Sequence, residues 1–329
     1  MSERRVLADL SIDNVPPGAR TPLWLDVAGA LAGSVAVPAL LVKGRQPGRT
    51  LLAVAGIHGD EYEGMEAIRR VYGRLDVETM RGTFLGIVVA NPFAYEARTR
   101  VAPLHIDGLN LARIFPGDPA GSLSHVLADQ LLGLVLRNLT PDDLFIDFHS
   151  GSADVPFAPL IGFREGTGGG RARAEEAARH FGLERLWAIP DSPGPFNAET
   201  ARGGITTLGT ETTGRAGCDP LDVDLFERGL ASLLGYLGIC PEWPMTARYG
   251  GSPRSTLDII APATGFLRST RRLHDDVVAG DRLATIVDLF GAPVAEIASP
   301  IDGTLWAARA MPAVRAGELC FMVASAETA

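Results

Sequence analysis

The chain has 329 residues, of which 46% are apolar and 21% charged, the proportions of an ordinary globular protein large enough for one big domain or two of usual size. A formal net charge of −9 argues against a nucleic-acid partner. No run of about 18 apolar residues offers a membrane span. Lys43 is the only lysine. The glycine run Gly166-Thr167-Gly168-Gly169-Gly170 therefore has no lysine after it to complete a phosphate-binding loop. A pyridoxal-phosphate Schiff base would have to use Lys43, which borders a Gly/Pro-rich turn and suits that role poorly. Cys218, Cys240 and Cys320 are odd in number and far apart, which makes neither a disulfide framework nor a zinc knuckle. The N-terminus lacks the apolar core of a secretory signal, so the expected location is the cytoplasm.

In chain order, Leu23 to Val27 and Val35 to Val42 are apolar runs with Gly29 and Gly33 between them, a pattern that predicts a β-hairpin. A turn over 44–50 leads to a strand over 51–57. Residues 62–75 carry a helical stripe of Met65, Ile68, Val71 and Tyr72. Phe84 to Ala90 predicts a buried strand closed by Asn91-Pro92. Leu123 to Leu139 predicts an apolar helix, and Pro141-Asp142-Asp143 leads into a strand over 144–148. A helix (Arg171 to Phe181), two strands (Leu186 to Ile189 and Ile205 to Glu211) and a helix (Val223 to Leu237) follow. Continuous apolar strands alternating with helices imply a mixed, mostly parallel α/β sheet with helices on both faces. After Pro241-Glu242-Trp243-Pro244 the pattern changes to short β runs punctuated by Gly, Pro and Asp. The expected organisation is an α/β domain over 1–245 and a small all-β domain over 246–329. The latter resembles the barrel-sandwich fold of biotinyl and lipoyl carriers, but it has no lysine to carry the group.

Two of the expected strands end in metal-competent side chains. His58, Gly59, Asp60 and Glu61 follow Leu51 to Ile57, and His149 follows Leu144 to Phe148. Ligands of open α/β sheets bind where the carboxyl ends of strands meet loops. His-x-x-Glu with a distant His supplies two imidazoles and a carboxylate, the protein half of a catalytic zinc site. The alternative for His58 to Glu61 is a surface loop whose acids sit at the positive end of the next helix. The alternative for His149 is a buried histidine bonded to a backbone group. Asp147 is a candidate to orient His149, although strand alternation points it away from Phe148. His105 and His125 are expected to be structural or solvent-facing.

Four motifs resemble one known family. Ala55-Gly56-Ile57-His58-Gly59-Asp60-Glu61, Asp107-Gly108-Leu109-Asn110-Leu111-Ala112-Arg113-Ile114-Phe115-Pro116-Gly117, Phe148-His149 and Thr210-Glu211-Thr212-Thr213-Gly214 are similar, in the same order, to elements of the succinylglutamate desuccinylase/aspartoacylase family of zinc deacylases. The resemblance implies a carboxypeptidase-like fold and one zinc per chain, held by His58, Glu61 and His149. It further implies that Glu211 is the general base, that Arg100 (with Arg98 as rival) polarises the scissile carbonyl, and that Arg113 grips a substrate carboxylate. Ala112 departs from the family, which has an asparagine there. Arg113 then works alone, Asn110 compensates, or the substrate presents another group.

The implied activity is deacylation of a small N-acyl amino acid or related amide, with the β domain restricting access to the site. The implied partner is that small molecule, with neither nucleic acid nor membrane; self-association is left open. The competing readings are a metallocarboxypeptidase acting on short peptides and a non-catalytic zinc-binding homologue.

Overall fold

The computed structural model describes residues 2–27, 35–164 and 169–326. The turn expected around Gly29 and Gly33, and residues 166–168 of the glycine run, lie outside these. The first half contains β1 (Glu3–Val6), β2 (Arg20–Asp26), β3 (Ala36–Lys43), β4 (Gln46–Val54), α1 (Glu63–Arg74), β5 (Arg81–Ile87), α2 (Pro92–Ala97), α3 (Leu123–Asn138) and β6 (Leu144–Phe148). Then come β7 (Leu160–Arg164), α4 (Gly169–Phe181), β8 (Leu186–Ile189), α5 (Phe196–Arg202), β9 (Thr206–Glu211) and α6 (Pro220–Tyr236). The strands form one sheet in the order β1-β2-β3-β5-β4-β6-β9-β7-β8. Its centre, β5-β4-β6-β9, is parallel throughout, whereas β2/β3, β3/β5 and β7/β9 pair antiparallel. The expectation of a mixed, mostly parallel sheet holds.

The continuous apolar strands are explained by helices on both faces. Leu51 and Ala53 of β4 and Leu144 and Ile146 of β6 pack under α1, α4 and α6, through Met65, Ile68, Phe181, Phe226 and Leu230. Their alternate neighbours Leu52, Val54 and Phe145 face α3 and α5, through Leu127, Leu131, Val135 and Phe196. Every residue of these strand segments is therefore inside, as the two-face period of a strand requires.

Some elements depart from the sequence pattern. Asn91-Pro92 does more than close a strand: Asn91 caps α2 by accepting the Ala94 amide at 3.2 Å, with proline at the first helical position. The short strand β7 and the two-turn helix α5 were not expected. Each is too short to display a period, and each is buried by tertiary packing. At Gln46, β4 starts earlier than expected, because its polar first half pairs with Arg81 at the open end of the sheet.

The remainder is two four-stranded antiparallel sheets. One is β10 (Thr256–Ile260), β17 (Leu319–Ser325), β15 (Gly303–Ala308) and β12 (Asp276–Val277); the other is β14 (Pro293–Ala298), β13 (Arg282–Val287), β11 (Gly265–Ser269) and β16 (Ala313–Val314). They enclose Leu267, Leu283, Ile286, Leu305, Phe321 and Val323. This unit is sewn to the main sheet. Trp306 and Met322 pack on Val155 and Leu160, Ala158 N donates to Trp306 O at 2.8 Å, and Arg254 N donates to Leu186 O beside β8 at 2.9 Å. No described helix is long and apolar enough to cross a membrane.

The loops leaving β6 and β9 touch. Gly214 has φ +69°, and a Cβ there would fall 1.5 Å from the carbonyl oxygen of Gly151. Gly151 N also donates to Thr212 O and Arg215 N to Gly151 O, both at 2.8 Å. Only glycine permits this approach. Gly214→Ala is expected to cost at least about 1–3 kcal/mol in a denaturant titration. Gly170→Ala, where a Cβ meets nothing within 4 Å, should be near neutral. Equal midpoints for wild type and Gly214→Ala would contradict the close packing.

Candidate functional site

Three neighbouring parallel strands deliver their carboxyl ends to one place. Val54 of β4 is in register with Asp147 of β6, and Phe148 of β6 with Thr210 of β9. The residues that follow are therefore adjacent: His58 and Glu61 after β4, His149 after β6, and Glu211 at the end of β9. The expected ligand set is brought together, with one ligand atom from each of His58, Glu61 and His149 lying within 4.8 Å of the others. The loop that carries His58 and Glu61 is fixed by Gly59, where a Cβ would fall 2.0 Å from the backbone of Ala94 in α2.

Each imidazole presents Nδ1 to Glu61. His149 Nδ1 lies 2.9 Å from Glu61 Oε2, and His58 Nδ1 lies 2.7 Å from Glu61 Oε1. The second contact is too misaligned to be a hydrogen bond, so a buried nitrogen is left without a partner. The opposite nitrogens are backed by oxygen: His58 Nε2 by Asn110 Oδ1 at 3.2 Å, and His149 Nε2 by Asp147 Oδ2 at 3.2 Å. With an ion bound, such backing would hold the proton on Nε2 and leave Nδ1 to ligate, the arrangement used around metal-bound histidines. Asp147 is two residues before His149 on the same face of the chain, so strand alternation allows the role proposed for it. It is steadied in turn by Asn197 Nδ2 at 3.3 Å, whose Oδ1 accepts from Arg164 Nε at 2.9 Å.

The electrostatics suit a cation. Glu61 is 3% exposed. Burial works to raise its pKa, but His58 and His149 hold it well below the carboxylate range. Burial, aided by Arg100, lowers His58 to about 4, leaving it a neutral ligand at neutral pH. Burial also works to lower His149, but Asp147 and Glu61 overcome it and raise the group well above an ordinary histidine. Two imidazoles and a carboxylate with an orphaned nitrogen between them fit a metal ion with a position open to solvent, and the described residues could hold one there.

The site opens on a cleft of about 570 Å³. Glu211 lines it, with a buried Oε2 that has no partner. Burial, together with the Glu61 charge, pushes its pKa up to about 8. Arg100 lines the cleft as well, its Nη1 donating to Glu61 Oε1 at 2.7 Å and Ser152 Oγ at 2.9 Å. Arg98 lies elsewhere, exposed at the left-handed end of α2. Arg113 and Ala112 are both on the cleft wall. Asn110, expected to help hold substrate, is not; its Oδ1 serves His58 and the Ala112 amide, the latter at 3.0 Å. His125 bonds Ser122 Oγ through Nδ1 at 2.9 Å, and His105 is exposed; neither joins the cluster.

Sequence reasoning missed Arg164, Asn197, Trp187 and the β10 residues Thr256, Leu257 and Asp258, all of which line the same cleft. None stands at a strand end with a motif around it, so only tertiary structure brings them in.

Known proteins share this architecture. The profile of the Succinylglutamate desuccinylase/Aspartoacylase catalytic domain matches residues 47–237. A curated relative, N-alpha-acetyl-L-2,4-diaminobutyric acid deacetylase of Halomonas elongata, is 32% identical over 308 residues, covering 89% of this chain and 86% of its own. A succinylglutamate desuccinylase/aspartoacylase crystal structure from Rhodobacter sphaeroides aligns with TM-score 0.81 and 28% identity, covering 93% of this chain and 95% of that one. An ectoine utilization protein of Ruegeria pomeroyi, at 22% identity and TM-score 0.80 over 95% and 97% of the two chains, shares the fold.

The geometry makes the ligand set testable by metal analysis. Protein purified without chelator is expected to carry about one divalent ion per chain, and His149→Ala to lose most of it, since two ligands seldom retain such an ion. Full occupancy in that variant would remove His149 from the set.

Proposed function

Because this chain belongs to the succinylglutamate desuccinylase/aspartoacylase family, whose members deacylate N-acyl amino acids, we propose that it is a zinc-dependent hydrolase that splits the amide of a small N-acyl amino acid. Acetyl is the favoured acyl group and 2,4-diaminobutyrate the favoured product, on the strength of the identity to the Halomonas elongata deacetylase. The observation that carries the reading is the clustering of His58, Glu61 and His149 at a cleft sized for a small molecule, lined by His58, His149 and Glu211 with its unpartnered oxygen.

His58, Glu61 and His149 would hold the ion. Zinc bound there would supply Lewis acidity, polarising an acyl carbonyl and acidifying a water molecule from a pKa of about 15.7 to about 7. A cation held beside Glu61 would offset the charge that raises Glu211, and as a carboxylate Glu211 takes the proton of the attacking water and returns it to the leaving amine nitrogen. Arg100, held at the cleft wall by Glu61 and Ser152, stabilises the negative charge that develops on the carbonyl oxygen. Arg113 grips the α-carboxylate with its planar fork. Ala112 leaves that grip without a neighbouring side-chain donor. Asn110 serves by orienting His58.

The strand β10 supports a small substrate over a peptide. Thr256 to Asp258 form part of the cleft, so the C-terminal β unit takes up space beside the site. In this reading, that unit restricts entry.

Amine release from N-acetyl, N-succinyl and N-formyl amino acids tests the proposal, and hydrolysis of none of them would overturn it. Glu211→Gln is expected to keep its metal and fold while kcat falls about 10²-fold or more. Near-normal turnover in that variant would move the general base to another residue.

A further inference from the structure

The cleft contains a carboxylate that the mechanism does not use. Asp258 lies on β10, and that strand is held firmly. Arg254 N donates to Leu186 O at 2.9 Å, Ala188 N to Arg254 O at 3.0 Å, and Trp187 Nε1 to Thr256 Oγ1 at 2.9 Å. Arg254 Nη2 also donates to Ala324 O on β17 at 2.6 Å. Thr256 and Asp258 are two apart on the strand and face the same side, and both line the cleft.

The Asp258 carboxylate makes no hydrogen bond or ion pair with any described residue. Its carboxyl is reached by solvent along the cleft, yet its surroundings are crowded enough for burial to raise its pKa, with Arg113 working against the rise. Arg113 is likewise open to the cleft, giving its Nη1 to the neighbouring Ala112 O at 3.0 Å. The two charges influence each other but do not meet as an ion pair. An anion and a cation that do not pair directly with each other therefore share one small cleft. A ligand complementary to both must present an anion to Arg113 and a cation to Asp258. In an N-acyl amino acid the α-nitrogen is a neutral amide, so the cation has to come from the side chain. A side-chain carboxylate would face Asp258 and be repelled.

We infer that Asp258 is the residue that sets side-chain charge specificity, selecting N-acyl amino acids with a short ammonium-bearing side chain and rejecting acidic ones. The inference rests on the deacylase reading and adds to it the group that reads the side chain.

Three substrates vary the side-chain charge: N-α-acetyl-2,4-diaminobutyrate and its isostere N-acetylnorvaline differ in charge alone, and N-acetylglutamate presents a larger, acidic side chain. In the zinc-loaded wild type, kcat/KM for the diaminobutyrate compound is expected to exceed that for the norvaline compound by about tenfold or more, the scale of one charge-assisted contact. Asp258→Asn should shrink that ratio to within about threefold, and Asp258→Lys should shift the preference toward N-acetylglutamate. If Asp258 serves only to balance Arg113 or to hold β10, all three substrates will change together and the ratio will stand, which overturns the inference.

Calorimetric binding of free 2,4-diaminobutyrate and norvaline to the same proteins gives a readout apart from turnover. A wild type that binds both equally also overturns it. Tighter binding of diaminobutyrate that is lost in Asp258→Asn, with no hydrolysis of any of the three amides, would support the role of Asp258 while sinking the deacylase reading.

Discussion

A carboxylate buried between two imidazoles is the constraint around which this protein is arranged. Glu61 is almost fully removed from water, and an isolated charge so placed would cost several kcal/mol. It is kept ionised by His58, His149, the Arg100 guanidinium at 2.7 Å and the Ser150 amide at 3.2 Å. Those four partners come from the loop after β4, the loop after β6 and the segment after α2. The parallel registry of β4 with β6, the tight passage of Gly59 over α2 and the glycine contact between the β6 and β9 loops all place charge around that carboxylate. The outer ring does the same at longer range. Asn110 orients His58, and the chain from Arg164 through Asn197 to Asp147 orients His149.

What could be read from sequence follows from this arrangement. His58, Glu61, His149 and Glu211 stand at or just beyond the ends of apolar strands, and such strands declare themselves because both faces are covered. Their ends are the one place in an open α/β sheet where polar side chains converge. Residues that reach the site from elsewhere carry no such mark. Arg164 is one of many arginines in the chain, and its significance lies in a partner, Asn197, on a helix too short to announce itself. Asn110 lies in a motif that suggested substrate contact, yet its side-chain oxygen is turned toward His58, and residue type alone cannot distinguish the two uses. Asp258 is invisible for a different reason: it belongs to the other half of the chain and enters the cleft only because β10 lies beside β8.

The C-terminal β unit illustrates how a fold and a function separate. Its two sheets have the look of a carrier module, but the chain offers no lysine there to modify. Its contribution to the cleft is a wall, made by a few residues of one edge strand. Those residues line the same cleft as His58, His149 and Glu211 but come from the other half of the chain.

The central claim is that His58, Glu61 and His149 hold a zinc ion. Its most direct test is X-ray absorption at the zinc edge of the loaded protein. The account predicts a first shell of nitrogen and oxygen only, at about 2.0–2.1 Å, with outer-shell scattering from two imidazoles, and loss of one imidazole's contribution in His58→Ala. Sulfur at about 2.3 Å, which would bring in one of the cysteines, or a His58→Ala spectrum identical to that of the wild type, would contradict it.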